Sequence, residues 1–168
     1  PGKKTALFVG IFVLLFIFNP GQLAGLYVRN NVVQAFKIPT ETMVPTLLKG
    51  DRVLVDKRIY RHEEPQRGDI VVFSLPDHAG KSYIKRLAGL PGEVLEIKDG
   101  HVLINGVPLE QDPFGKIPYN NRGSYGETGK SVAIPPDHYY VLGDNSPKSR
   151  DSRYFGFIPR KSFIGKAH

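Results

Sequence analysis

Two features of this sequence could support nucleophilic chemistry without a cofactor: hydroxyls in a proline-bounded loop, and a lysine inside an apolar segment. The loop reads IPTETMVPTLLKGD, with Thr40, Thr42 and Thr46 set around Pro39 and Pro45. Proline fixes φ and removes a backbone donor, so the stretch is expected to be a stiff extended loop rather than a helix. A loop of that kind can hold one hydroxyl at a defined angle. The hydroxyl is a weak nucleophile until a neighbouring base takes its proton. Lysine serves as that base when burial strips its water, because desolvation disfavours the ammonium and lowers its pKa. SYIKRLAGLPGE contains such a candidate, Lys85, just after Tyr83 and Ile84. Alternation places Lys85 on the same strand face as Tyr83, and an exposed face is the ordinary outcome for a strand lysine. Spacing alone therefore leaves its role open.

Other chemistries find less support. The chain has no cysteine, which excludes a thiol nucleophile, a disulfide scaffold and a cysteine zinc site. The histidines at 62, 78, 101, 138 and 168 have no HExxH or other paired spacing and read as solvent-exposed, so no metal is expected. There is no GxxxxGK(S/T), no GxGxxG and no GxSxG, so neither a phosphate cradle nor a nucleophile elbow is supported. The formal net charge of +7 comes from Lys and Arg scattered along strand-like segments. Without a dense basic run or an aromatic platform, nucleic acid is not expected as a partner.

The elements that must position these residues come in two parts. Lys3 and Lys4 precede TALFVGIFVLLFIF, and the apolar stretch continues past Asn19-Pro20-Gly21-Gln22 to Val28. This is close to the ~20 residues that a membrane span needs. A cleaved signal peptide, an anchor and a buried core helix all suit such a run. The weakness of any small-x-small site after Phe18 favours the anchor. Lysines ahead of the run leave the N-terminus cytoplasmic and send the rest across the membrane. Residues 1–34 are thus expected to be anchor and juxtamembrane segment, and 35–168 a β domain. Within it DRVLVDKRI alternates, GDIVVFSLP is a short core strand, and EVLEIKDGHVLINGVPL reads as strands joined at Asp99-Gly100 and Asn105-Gly106. SVAIPPDHYYVLGDN is a strand broken by two prolines, RKSFIGKA a last short strand, and about 110–130 a Gly/Pro-rich excursion.

Four segments, IPTETMVPTLLKGD, RGDIVVF, YIKRLAGLPGE and GDNSPKSRDSRYFG, occur in the order and spacing of the type I signal peptidases. The chain resembles that family over nearly its whole length. The resemblance implies a mainly β fold, a domain of antiparallel sheets carried on an N-terminal transmembrane helix. It implies a membrane-anchored protease with a Ser/Lys dyad, a variant of the catalytic-triad logic. Such an enzyme removes N-terminal signal peptides from exported preproteins after small-x-small sites. No cofactor is implied, and the expected partners are those signal peptides and membrane lipid. The expected place is the cell membrane, as a single-pass monomer with its β domain on the outer face.

Carried over by position, the family's nucleophilic serine falls on Thr42 and its general base on Lys85. The oxyanion-hole hydroxyl falls on Thr40, and the serine that orients the lysine on Ser149. Asp151 and Arg153, with Arg86, fall on the supporting ionic network. The pockets for small substrate side chains fall on Phe36, Ile38, Met43, Leu47, Val53, Val72, Tyr83 and Ile84. Two departures stand out. Ser146-Pro147 follows Gly143-Asp144-Asn145 where the family usually has Arg, which is expected to alter a loop rim. Thr42 adds a methyl group that stiffens χ1 beside the reacting carbonyl. A catalytically impaired homologue that binds signal peptides or partner proteins without cutting them is the alternative this leaves.

Overall fold

The computed structural model describes residues 2, 5, 7–10, 12, 20–75 and 80–168. Helix α1 spans Pro20–Asn31. Strand β1 (Val33–Lys37) follows after one residue, and β2 (Arg52–Asp56) returns antiparallel along it. A one-turn helix α2 (Ile59–His62) leads to β3 (Ile70–Ser74) and β4 (Ser82–Gly89). The hairpin strands β5 (Val94–Lys98) and β6 (His101–Ile104) are followed by the short β7 (Val107–Pro108), then β8 (Ser131–Ala133) and β9 (His138–Leu142). The chain ends with the one-turn helix α3 (Ser152–Phe155), β10 (Ile158–Pro159) and β11 (Phe163–Ala167).

These strands form two antiparallel sheets. The larger has the order β1-β2-β11-β3-β4-β9-β10, and the smaller the order β7-β6-β5-β8. The turns set the smaller sheet as the sequence suggests. Lys98 pairs with His101 across Asp99-Gly100, and Ile104 with Val107 across Asn105-Gly106. All four turn residues have positive φ, which the two-residue hairpin requires. Residues 109–130 run between β7 and β8, with Phe114 and Tyr119 buried in the core against the smaller sheet.

The core follows the period-2 rule across the larger sheet. Val71 and Phe73 join one cluster with Leu87, Tyr139, Val141 and Ile158. Val72 joins Ile38, Val53 and Val55 in another. Tyr140 and Leu142 pack with Leu95, Ile97 and Val102, joining the two sheets.

Three local expectations are corrected. SVAIPPDHYYVL is not one interrupted strand: Pro135-Pro136 separates β8 in the smaller sheet from β9 in the larger, because proline cannot donate to a ladder. The Thr40–Thr46 loop is not helical, but neither is it extended. Val44 N bonds Glu41 O at 3.3 Å and Leu47 N bonds Met43 O at 2.9 Å, closing successive turns. The donors that proline spares are enough to fold it. Lys85 does not sit on an exposed face: β4 lies between β3 and β9, and its last five residues, from Lys85 onward, are all buried. Both faces of this part of β4 are covered, the Lys85 side by the loop that carries Thr42.

The expected membrane anchor falls largely on residues 13–19 and others that lie outside the described residues. Among the described residues, no helix is long and apolar enough to cross a membrane.

Candidate active site

The site is assembled from the β1–β2 loop, strand β4 and the segment between β9 and α3. The loop is pinned at its base, where Ile38 N bonds Asp51 O and Gly50 N bonds Ile38 O, both at 2.8 Å. Met43 anchors its middle with no exposed surface. Thr42, next to that anchor, is half-buried, while Thr40 is exposed. Their hydroxyl oxygens lie 3.3 Å apart. The Thr42 N–H has no acceptor among the described residues.

Lys85 reaches this loop from β4. Its Nζ donates to Thr42 Oγ1 at 3.0 Å and to the Ile84 carbonyl at 2.7 Å. Only 3% of Lys85 is exposed. Burial pushes its pKa down to about 8, although the carboxylates of Asp151 and Asp144 pull in the opposite direction. Desolvation is the larger effect. A half-buried hydroxyl beside a lysine of lowered pKa is a nucleophile–base pair in geometry.

Two buried ion pairs brace the pair. Asp151 and Arg153 have no exposed surface, and Arg153 Nε and Nη2 bond the two Asp151 oxygens at 2.8 Å each. Asp151 also accepts the Gly143 N–H at 3.0 Å and caps α3 through the Arg153 N–H. Arg86 pairs bidentately with Asp144 instead, at 2.9 and 2.7 Å, and donates to the Gly68 carbonyl at 2.8 Å. Arg86 and the Asp151–Arg153 pair are therefore two separate brackets on either side of Gly143-Asp144.

Ser149 is brought to the site but does not bond Lys85. Its hydroxyl is buried and has no partner among the described residues. It lies against Gly143, where a Cβ would meet Ser149 Oγ at 2.1 Å and the Thr42 carbonyl at 2.6 Å. Glycine is required there, since any side chain would push the β9–α3 segment off the Thr42 loop. Ser146 is a second departure from expectation. It is buried, not at a rim, and its Oγ accepts from Arg153 Nη1 at 2.7 Å and from Asn120 N at 2.8 Å. The hydroxyl ties the 109–130 excursion to the Arg153 bracket.

Of the pocket residues, Phe36, Ile38, Val72, Tyr83 and Ile84 line a cavity of about 40 Å³ together with Lys37, Pro39 and Ser82. Met43, Leu47 and Val53 do not line it. Leu47 and Val53 pack in the cluster around Ile38, and Met43 is wholly enclosed. Sequence reasoning missed Asp144 as the partner of Arg86, although the GDN word contains it. It also missed three contacts that clasp the loop. Asn145 N bonds the Thr42 carbonyl at 3.1 Å, the Asn145 side chain bonds the Glu41 carbonyl at 3.0 Å, and Lys148 pairs with Glu41 at 2.6 Å. Opposite charges at 41 and 148 were the only signal for these.

Comparison with known proteins places the chain in a family. The profile of the family described as signal peptidase, peptidase S26, matches residues 5–168. Signal peptidase I of Leptolyngbya laminosa is 41% identical over 148 residues, which cover 83% of this chain and 69% of that protein. Probable signal peptidase I-2 of Synechocystis sp. is 38% identical over 145 residues, covering 83% of this chain and 63% of its own length. A crystal structure of a signal peptidase I from Enterococcus faecalis V583 is similar at 38% identity and a TM-score of 0.48, over 62% of this chain and 97% of that one. The chain belongs to the signal peptidase family, peptidase S26.

Proposed function

We propose that this chain is a membrane-bound endopeptidase that removes N-terminal signal peptides from exported preproteins after small-x-small sites, using a Thr42/Lys85 dyad. The observation that carries the reading is the 3.0 Å contact between Lys85 Nζ and Thr42 Oγ1, made by a lysine that burial holds near pKa 8. Neutral Lys85 takes the Thr42 proton as Oγ1 attacks the carbonyl of the residue before the cut. The developing oxyanion is met by the free Thr42 N–H and the Thr40 hydroxyl, each worth on the order of 3 kcal/mol. Lys85, now an ammonium, protonates the leaving amine, and the peptide C–N bond breaks. Water then attacks the acyl-Thr42 ester, with Lys85 again as base, and the hydroxyl is restored.

Ser149 Oγ, spare and buried across Gly143 from Thr42, is the acceptor available to orient the lysine. Asp151 and Arg153 hold the segment that carries it. The cavity of about 40 Å³ is lined mainly by apolar side chains and suits small residues ahead of the cut. Met43, Leu47 and Val53 act behind it as packing. The apolar N-terminal run, in residues 1–34, tethers the domain to the outer face of the cell membrane. The side chains of Leu7, Phe8 and Phe12 are all more than 60% exposed, so the β domain does not cover them.

The test is cleavage of a preprotein in detergent by wild type, Thr42→Ser, Thr42→Ala and Lys85→Ala. Wild type and Thr42→Ser are expected to release mature product, and the two alanine variants none. Robust turnover by Thr42→Ala would remove the nucleophile assignment. A silent wild type together with an active Thr42→Ser would favour the impaired, binding-only homologue.

A further inference from the structure

Next to the small apolar cavity lies a much larger cleft, with a volume of about 980 Å³. The two share Phe36 of β1 and Ser82 of β4 in their walls, so they adjoin. Along β4 the cleft is lined at Ser82 and the small cavity at Ser82, Tyr83 and Ile84, next to Lys85. Along β1 the cleft is lined at Gln34 and Phe36 and the cavity from Phe36 to Pro39, on the side of the Thr42 loop. If the small cavity holds the residues just ahead of the cut, as the proteolytic reading requires, the adjoining cleft is the concave surface that the substrate chain upstream of them meets.

The walls of the cleft are unequal in charge. Lys57, Arg61, Arg160 and Lys161 line it, against the single carboxylate of Asp137. Lys57 donates to Gln34 Oε1 at 3.1 Å, and Arg160 is paired with Glu64 at 3.0 Å. Among the described residues no carboxylate pairs with Arg61 or Lys161, and both are exposed. Cations gathered in a concave wall raise the local concentration of an opposite charge. Phe36, Tyr60, Pro159, Phe163 and Ile164 form the apolar part of the same wall.

We propose that this cleft selects substrates with an acidic side chain roughly four to six residues ahead of the cleaved bond, through Arg61 and Lys161. The register follows from length. A cleft of this volume is about 10 Å across, which an extended chain crosses in roughly three residues at about 3.3 Å each. Those residues come directly after the ones seated in the small cavity. An anionic lipid headgroup is the other candidate for such a charge. The shared wall with the apolar cavity favours the peptide, because a headgroup has no need of that neighbour.

The inference rests on the proteolytic reading, so binding and cleavage are measured separately on the whole chain in detergent. Peptides share one small-x-small site and differ only at the fifth residue before the cut, as Glu, Gln or Lys. Affinity is read by fluorescence anisotropy on Thr42→Ala, and kcat/KM on the wild type. The Glu peptide should bind and turn over about fivefold better than the Gln peptide, with Lys the poorest, a ratio in keeping with partly exposed ion pairs. The Glu-to-Gln ratio should fall toward one in 0.5 M NaCl and in the Arg61→Gln/Lys161→Gln double variant. Equal affinity for all three peptides would overturn the cleft assignment whether or not cleavage occurs. So would an unchanged ratio in the double variant. Equal affinities combined with loss of phosphatidylglycerol-vesicle binding in that variant would assign the cleft to a headgroup instead. Absence of cleavage with the Glu preference in binding intact would remove only the proteolytic reading.

Discussion

At the scale of single residues, the proposed Thr42/Lys85 dyad would depend on one methyl group and one proton. Thr42 Oγ1 is engaged by Lys85 and lies near Thr40 Oγ1, so the Thr42 methyl must take another staggered position beside the incoming carbonyl. A misplacement of about 1 Å can cost roughly 100-fold in rate. Thr42→Ser is therefore expected to raise kcat by tenfold or more with little change in KM, measured by single-turnover cleavage of a preprotein. An unchanged kcat would mean that the methyl is accommodated. The proton gives an independent check. Lys85 is pushed down to about 8 by burial, so its ammonium predominates below that pH and cannot act as base. At pH 7 about a tenth of the molecules carry the neutral amine. The kcat/KM should rise about tenfold per pH unit up to about pH 8 and then level off. A midpoint near the ordinary lysine value would show that the amine is hydrated rather than buried. The sign for stability is parallel: the fold disfavours the charged form, so this group's contribution to stability improves as pH rises from about 8 toward 10.5.

At the scale of elements, the β9–α3 segment is the part that a substitution can detach. Arg153 has no exposed surface, and it bonds Asp151, Ser146 and the Asn120 carbonyl at once. Arg153→Met keeps the bulk but leaves the Asp151 carboxylate buried without its partner, which costs about 3–5 kcal/mol. Urea unfolding should show that loss, whereas Lys148→Ala, at the exposed pair with Glu41, should cost less than about 1 kcal/mol. Equal effects would mean that the Asp151 charge finds water. This segment also marks how far the sequence could be read. The β5–β6–β7 turns were legible because Asp-Gly and Asn-Gly encode positive φ locally. The Thr42 loop and Lys85 were legible as words in a family pattern. The pairing of Arg86 with Asp144 was not, since it joins positions 58 apart and either arginine could have taken either carboxylate. The burial of Ser146 was equally hidden, because it depends on Asn120 arriving from the excursion. The burial of Lys85 depends on the Thr42 loop arriving over β4 from 43 positions away, which no local pattern encodes.

At the scale of the whole molecule, the cleft and the N-terminal segment meet at β1. Helix α1 reaches Asn31 and β1 begins at Val33, so a single residue separates the helix from a strand whose Phe36 lines both cavities. On α1, Leu23, Leu26, Tyr27 and Val28 are between 47% and 65% exposed, leaving apolar surface that the β domain does not cover. Apolar side chains left bare at the end of a long apolar segment are expected to sit in a bilayer or its interface. That arrangement would put the mouth of the cleft close to the membrane surface, where a signal peptide lodged in the same bilayer could enter without leaving lipid. The whole chain should therefore sediment with membranes, resist extraction by alkaline carbonate and be released by non-ionic detergent. A chain starting at Asn31 should keep its β fold and cleave a soluble peptide at a similar kcat. It should nevertheless process a membrane-inserted preprotein at least tenfold more slowly, because the tether's contribution to effective concentration is gone. Carbonate extraction of the whole chain, or equal processing of the inserted preprotein by both chains, would separate the cleft from the membrane and leave the N-terminal segment without a part in catalysis.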